Sequence, residues 1–195
     1  MNFLAHLYLS DNNEPLMVGN FIADHLKGND WKSLPEGIMS GVKVHRFIDH
    51  FTDTHPVVEQ SKVLLRPYFH KYTPVISDIF YDHFLAAEWD KYSNQPIDEY
   101  ARYVYQLMHK NYQFLPARTK EMLVYMENDN WLKNYATLNG MHRALSGMGR
   151  RAKFDNNMNQ AAEFLYDNYE LFEKHFKEFF PELESAVKKE ISTQT

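Results

Sequence analysis

The sequence predicts an all-α protein, built as a single-domain bundle of about eight helices. Its apolar residues recur mostly at intervals of three and four rather than two, which is the period of an amphipathic helix. Only 7 glycines and 8 prolines occur in 195 residues, and no repeat or Gly/Ser-rich linker divides the chain. We therefore predict one domain over residues 1–195, with the final ISTQT segment frayed.

The prolines are predicted to mark the helix boundaries. Pro15 is placed to open a helix that Gly28 ends, and Pro74 to open the amphipathic segment VISDIFYDHFLAAEW. Ser33 and Glu36 have the spacing of a capping box before the helix that carries HRFIDHFTD. Further prolines are predicted to begin or interrupt helices: Pro56, Pro67, Pro96, Pro116 and Pro181.

The composition excludes several classes of protein. Lys and Arg total 21 against 26 Asp and Glu, and this net charge of -5 argues against a nucleic-acid binder that works by neutralising phosphates. The absence of cysteine excludes disulfides, zinc–thiolate sites and a cysteine nucleophile. The first segment, MNFLAHLYLS, is short and has no basic n-region, so we interpret it as core rather than a signal peptide or a membrane span. These features predict a cytoplasmic protein without a membrane partner.

The segment HRFIDHFTDTHP concentrates polar groups on a helix. His45, Asp49 and Asp53 follow one another at one-turn spacing, and Thr52 falls beside them on the same face. A carboxylate on a largely buried helix needs a cation or hydrogen-bond donors. We therefore predict that this stripe binds a divalent ion. For Asp53 a second interpretation stays open, namely that it caps the helix beginning at Pro56.

A second cluster lies in the segment DIFYDHF. Asp78 and Asp82 are one turn apart there, and His83 follows Asp82 directly. Asp24 and His6 are single polar residues inside apolar segments, and we expect them to complete the metal site. The alternatives are that His6 is a hydrogen-bonded core histidine and that Asp24 only binds backbone near a helix end.

Histidine and aspartate ligands without sulfur suit manganese, iron, magnesium or a catalytic zinc. Such ions polarise phosphoryl oxygens and activate water near neutral pH. The residues therefore predict a metal-dependent phosphohydrolase. Within it, His6 or Asp53 is expected to orient the attacking water or to pass its proton.

Six segments together carry a resemblance to a known family. They are, in chain order, MNFLAHLYLS, VGNFIADHLKG, GVKVHRFIDHFTDTHPVV, SDIFYDHFLAAEW, NWLKNYATLNGMHRAL and MGRR. This series resembles the bacterial acyl carrier protein phosphodiesterases, which are described as atypical relatives of the HD-domain phosphohydrolases. HRFIDHFTDTHP and YDHFLAAEW are its most specific parts.

The resemblance implies a helical HD-like fold, manganese dependence and a defined reaction. That reaction is hydrolysis of the phosphodiester that joins phosphopantetheine to a serine of holo acyl carrier protein, which gives the apo protein and 4'-phosphopantetheine. The resemblance also assigns six positions to the metal centre: Asp24, His45, Asp49, Asp78, Asp82 and His83.

An acidic protein substrate would require a local positive surface on an enzyme that is itself negative. The basic residues predicted to provide it are Lys43, Arg46, Arg143, Arg150, Arg151 and Lys153. Arg46 follows His45, so we expect it to border the metal cleft or to contact the phosphate. The alternative for Arg150 and Arg151 is an ordinary solvated helix end.

Two other functions stay open at this point. The same metal centre would serve an HD-type phosphohydrolase acting on nucleotides or small phosphoesters. A non-catalytic helical protein would instead use aromatic residues to bind a partner, and FLYDNYELFEKHFKEFF is the segment that favours it. An amphipathic core helix explains that aromatic stripe equally well.

Overall fold

The computed structural model describes residues 1–154 and 156–194, and these residues form helices and connecting turns without a strand. The all-α prediction is confirmed. The α-helices are α1 (Phe3–Tyr8), α2 (Glu14–Ile22), α3 (Glu36–Thr54), α4 (Pro56–Phe69), α5 (Thr73–Ala87), α6 (Ile97–Lys110), α7 (Ala117–Asn128), α8 (Trp131–Asn134), α9 (Leu138–Arg151), α10 (Ala161–Asp167) and α11 (Tyr169–Gln194).

Proline marks some helix boundaries and not others. Pro15, Pro56 and Pro74 lie in the first turns of α2, α4 and α5, as predicted. Pro67 lies inside α4 and Pro181 inside α11, so the two predicted interruptions are wrong. A proline within a helix costs about 3 kcal/mol. Apolar residues buried on both sides of Pro181 offset that cost: Phe176, Phe179, Phe180, Leu183 and Val187.

Two predicted helix ends also differ from the structure. Ser33 does not cap α3, because its hydroxyl donates to the carbonyl oxygen of Asp30 in the preceding 3-10 turn. Helix α2 ends at Ile22, and a 3-10 turn, Ala23–His25, replaces the predicted continuation to Gly28. At the other end of the chain, α11 extends to Gln194, Thr195 lies outside the described residues, and the fraying of ISTQT stays a prediction.

Helices α2 and α3 approach each other so closely that their backbones touch at glycines. A Cβ atom on Gly19 would overlap the carbonyl oxygen of Ile38, and one on Gly41 would overlap that of Leu16. Any larger residue would push the helices apart. This close approach places Asn20, the residue after Gly19, directly against α3.

The aromatic stripe of α11 belongs to the core. Phe172, Phe176, Phe179 and Phe180 are fully buried, and their rings contact those of α3, α5 and the turn at Tyr92. The core interpretation of this segment is therefore confirmed. No helix in the described part of the chain combines the length and the apolar character that crossing a bilayer requires.

Candidate metal centre

Helices α1 and α3 bring two histidines and an aspartate together. One ligand atom each from His6, His45 and Asp49 lies within 4.8 Å of the other two. The Nε2 atoms of His6 and His45 lie 3.1 Å from the two oxygens of the Asp49 carboxylate. Asp24, in the turn after α2, extends the group, because its Oδ1 lies 3.1 Å from Nε2 of His45. We call these four residues the His/Asp cluster.

The nitrogen atoms of both imidazole rings in the cluster face only oxygen atoms in the described structure. Nδ1 of His6 and Nδ1 of His45 lie 2.8 and 3.1 Å from the side-chain oxygen of Asn20. Nε2 of His6 faces Asp49 and, at 3.2 Å, the carbonyl oxygen of Met1, while Nε2 of His45 faces Asp24 and Asp49. A neutral imidazole has one N–H and one lone pair. One nitrogen of each neutral ring therefore needs either a proton or a cation.

Protonation cannot meet that need on both rings at neutral pH. Burial and the neighbouring His45 lower the pKa of His6 to about 4. Burial also opposes the charge on His45, but hydrogen bonds with Asp24 and Asp49 raise its pKa to about 9. The two rings are stacked with centroids 4.1 Å apart, so two imidazolium charges would repel strongly.

The carboxylates of the cluster remain ionised. Burial works against the charge on Asp49, yet its contacts with His45 and His6 hold its pKa well below the usual range. The hydrogen bond with His45 likewise lowers the pKa of Asp24. Two imidazole nitrogens and the Asp49 carboxylate thus converge, with the Asp24 carboxylate beside Nε2 of His45, and they have too few protons to satisfy them. This donor set fits a divalent cation.

Asp78 lies beside the cluster and is joined to it through a charged group. Its Oδ1 is 3.1 Å from the α-amino nitrogen of Met1, which is also 4.0 Å from Oδ1 of Asp49. Burial raises the pKa of Asp78, while the positive charges of the α-amino group and of Lys62 act to lower it. The structure therefore places this predicted residue at the border of the cluster.

Asp82 does not reach the cluster, although the sequence pattern suggested it. Its Oδ1 accepts the backbone N–H groups of Asn2 and Ala5, and its Oδ2 accepts that of Leu4 at 2.7 Å. The N–H groups of a first helical turn have no partner within the helix. Asp82 supplies those partners for α1 and so anchors the segment that carries His6.

Two more predicted residues have partners elsewhere. Nδ1 of His83 donates to the carbonyl oxygen of Tyr135 at 2.7 Å, and its Nε2 accepts from the Tyr169 hydroxyl at 3.1 Å. Asp53 pairs with the buried Lys62 at 2.7 Å and does not cap α4. The side chain of His55 caps the first turn of α4 instead. Neither residue contacts the His/Asp cluster in the part of the chain that is described.

Arginines line the surface next to the cluster. Asp24 is part of the wall of a cavity of about 660 Å³, which also contains Arg118. A second cavity of about 470 Å³ is lined by Arg143 and Arg150. The two cavities share three residues: Tyr125, Trp131 and Arg151. The predicted basic residues of α9 therefore lie on a surface that continues from the cluster.

Arg46 has a different environment. It is exposed on α3, and its guanidinium lies 4.7 Å from the centroid of the Trp31 ring. This cation–π contact holds the side chain against the 3-10 turn that precedes α3.

Comparison with known proteins identifies the family. A sequence profile described as acyl carrier protein phosphodiesterase matches residues 1–183. The chain belongs to this family. Among its relatives, the acyl carrier protein phosphodiesterase of Enterobacter sp. strain 638 is 30% identical over 184 residues, which are 94% of this chain and 95% of the relative. Those of Klebsiella pneumoniae strain 342 and Photorhabdus laumondii are each 31% identical, over 94% and 93% of this chain and 95% and 92% of the relative.

No solved structure matches the chain significantly, so the HD-like part of the fold prediction stays a prediction.

Three residues near the cluster were not predicted from the sequence: Asn20, Lys62 and Arg118. Only Asn20 could have been found from the sequence, because it precedes Asp24 by four residues, the same one-turn spacing that separates His45 from Asp49. Lys62 and Arg118 lie on helices whose sequences give no indication of what they face.

Proposed function

We propose that this protein hydrolyses the phosphodiester between 4'-phosphopantetheine and a serine of holo acyl carrier protein. The observation that carries the proposal is the family match over residues 1–183. Water adds its hydroxyl to phosphorus, the bond from phosphorus to the serine oxygen breaks, and that oxygen takes the remaining proton. The products are the apo carrier protein and 4'-phosphopantetheine.

We further propose that His6, His45, Asp49 and Asp24 hold a divalent metal ion, with Mn²⁺ preferred over Fe²⁺, Mg²⁺ and Zn²⁺. The ion would polarise the phosphoryl oxygen and make water a better nucleophile at neutral pH. Of the two roles predicted for His6, this proposal keeps that of completing the metal site and not that of orienting water or passing its proton. We leave Asp82 and His83 out of the ligand set, because protein groups already occupy their polar atoms.

The chain itself supplies charge next to this centre. Lys62 is a buried cation that acts on Asp78, and Asp53 holds its ammonium group through a 2.7 Å contact. Because the Asp53 carboxylate is paired with this ammonium group, we assign Asp53 to positioning Lys62 and not to transferring a proton.

The carrier protein is proposed to dock over the two connected cavities, with its modified serine nearest Asp24. The first cavity has apolar walls that include Phe3, Val75 and Met148, while the second has Arg143 and Arg150. Tyr125, at their junction, is 63% exposed, and tyrosine is among the residues that most often anchor protein interfaces. An acidic partner complements the arginines of a chain whose net charge is -5.

Incubation with holo acyl carrier protein and Mn²⁺, followed by intact-mass spectrometry, tests the reaction. We expect loss of the phosphopantetheine mass, no loss when a chelator is present, and recovery when Mn²⁺ is returned. Unchanged holo protein beside hydrolysed nucleotides from a parallel panel would favour the small-phosphoester alternative. Turnover that survives complete metal removal would contradict the metal centre alone.

Charge reversal tests the docking surface. Arg150→Glu with Arg151→Glu is expected to raise KM for the holo carrier protein about tenfold, because each change turns an attraction into a repulsion. The matched control is Lys188→Glu with Lys189→Glu, an exposed pair on α11 with the same change of charge. Equal KM values for the two double variants would rule out this surface as the docking site.

A further inference from the structure

Asn20 joins the two histidines of the cluster through a single amide. It lies on α2, is 1% exposed, and is pressed against α3 by the close approach at Gly19. Its side-chain nitrogen donates to the carbonyl oxygen of His6 at 2.8 Å and to the hydroxyl of Ser10 at 3.1 Å. A carbonyl oxygen only accepts hydrogen bonds, so the NH₂ group must face it. The orientation of the amide is thereby fixed.

The fixed amide determines where the protons of both rings lie. Its oxygen, which also only accepts, is 2.8 Å from Nδ1 of His6 and 3.1 Å from Nδ1 of His45. Each ring can bond to this oxygen only when its Nδ1 carries a hydrogen. In the neutral form each ring then has its lone pair on Nε2, the atom that faces the carboxylates.

We propose that Asn20 is a positioning residue that holds both imidazoles as Nδ1–H tautomers and directs both Nε2 lone pairs into the metal centre. Metal-binding histidines usually donate their second N–H to separate carbonyl or carboxylate groups. Here one oxygen serves two rings, which also accounts for their stacking at an interplanar angle of 19°. The inference rests on the metal centre proposed above.

Asparagine suits this position better than its closest substitutes. Leucine has a similar size but offers no acceptor, so either ring could take the Nε2–H tautomer and would then present a hydrogen to the metal. Aspartate would accept from both rings but would direct an oxygen at the carbonyl of His6 and add a buried charge. Only an amide supplies the acceptor and the donor that this arrangement needs.

Titration calorimetry with Mn²⁺ tests the effect on binding. Asn20→Leu is expected to weaken Mn²⁺ affinity about 10- to 100-fold, the range seen when groups that orient metal ligands are removed. Ser10→Ala is the matched control, since it removes one buried partner of the amide but leaves the His6 carbonyl that fixes its orientation. We expect its affinity to be that of the unaltered protein. Equal affinities for Asn20→Leu and Ser10→Ala would overturn the proposal.

Long-range ¹H–¹⁵N correlation spectra of the histidine rings test the tautomers directly. We expect His6 to be an Nδ1–H tautomer in the metal-free protein, and both rings to carry Nδ1–H in protein loaded with diamagnetic Zn²⁺. An Nε2–H signal from His6, or Zn²⁺ bound through Nδ1 of either ring, would overturn the proposal. This measurement uses the unaltered protein, so it tests the role of Asn20 even if the Asn20→Leu variant does not fold.

The two proposals fail in distinguishable ways. Unaltered protein that binds neither Mn²⁺ nor Zn²⁺ would refute the metal centre, while the spectrum of metal-free His6 would still report on Asn20. Normal metal binding together with the wrong tautomer would refute the role of Asn20 alone.

Discussion

Helices α3 and α5 present the same sequence signature, yet the structure uses them differently. Each carries histidine and aspartate within one turn on an apolar helix: His45 with Asp49, and Asp82 with His83. The pair on α3 opens onto a cavity through Asp24 and meets a second histidine. The pair on α5 is buried, with exposures of 0% and 2%, and each member contacts a different part of the chain.

Hydrogen-bond complementarity separates the two regions. Asp82 faces three N–H donors, and His83 faces one acceptor and one donor, so their polar atoms are matched. Among the described residues, the ring nitrogens of His6 and His45 face oxygen atoms alone. Matched polar groups stabilise the fold, whereas converging groups that lack a positive charge form a binding site. The comparison predicts that mutations in the two regions damage different properties.

The largest effect is expected at the His/Asp cluster. Asp49→Asn keeps the shape of the side chain but removes the charge that both histidines face. We expect Mn²⁺-dependent turnover to fall about a thousandfold, equivalent to about 4 kcal/mol of transition-state stabilisation, with the fold retained. Turnover and circular dichroism measured on the same sample check this. A variant that unfolds would show that Asp49 belongs with Asp82 as a structural residue.

The second effect concerns stability. Asp82→Ala leaves three N–H groups at the start of α1 without an acceptor, two of them buried, and we expect it to lower the free energy of unfolding by about 3 kcal/mol. Denaturant titration measures this loss. Because α1 carries His6, we expect Mn²⁺ affinity of the folded variant to fall, but by less than in Asp49→Asn. A stable variant that binds no metal would reverse our assignment of Asp82.

The contrast between α3 and α5 shows which parts of the site could be predicted from the sequence. The spacing of His45 and Asp49 is local, because a helix places residues four apart on one face, and the structure brings both into the cluster. The N–H groups that occupy Asp82 lie 77 to 80 residues away in the chain. The periodicity of a helix relates only residues that are close in sequence, so it cannot reveal these contacts. A metal-like pattern and a helix anchor are therefore indistinguishable until the packing of α1 on α5 is known.

Packing also explains the other differences. Asn20 meets His45 only because two glycines let α2 and α3 approach closely, and Pro181 stays within a helix only because apolar residues on both sides of it are buried. The helical class, by contrast, follows from a periodicity that extends along the whole chain.

The third effect is a pH dependence of the metal-free protein. The folded-state pKa of His45 is about 9, above its ordinary value of 6.5, so its contribution to stability is fully present below pH 6.5. That contribution is lost as the pH rises through 9, and we expect a loss of roughly 2 kcal/mol over this interval. Denaturant titrations at pH 6.5 and 9 measure it, and His45→Gln is expected to show a smaller loss. Because Mn²⁺ binding requires neutral histidine, Mn²⁺ should stabilise the protein more at pH 9 than at pH 6.5.

The smallest effect is expected from removing the hydroxyl of Tyr169, which donates a hydrogen bond to Nε2 of His83. Tyr169→Phe removes the donor to Nε2 of His83 but leaves the bond from Nδ1 to the carbonyl of Tyr135. A buried acceptor without its partner costs about 1 kcal/mol, so a small loss of stability is expected, with Mn²⁺ affinity unchanged. Thermal unfolding and Mn²⁺ titration of the variant measure the two quantities. A marked loss of Mn²⁺ affinity would mean that His83 communicates with the cluster, and the separation of α5 from the metal centre would then be wrong.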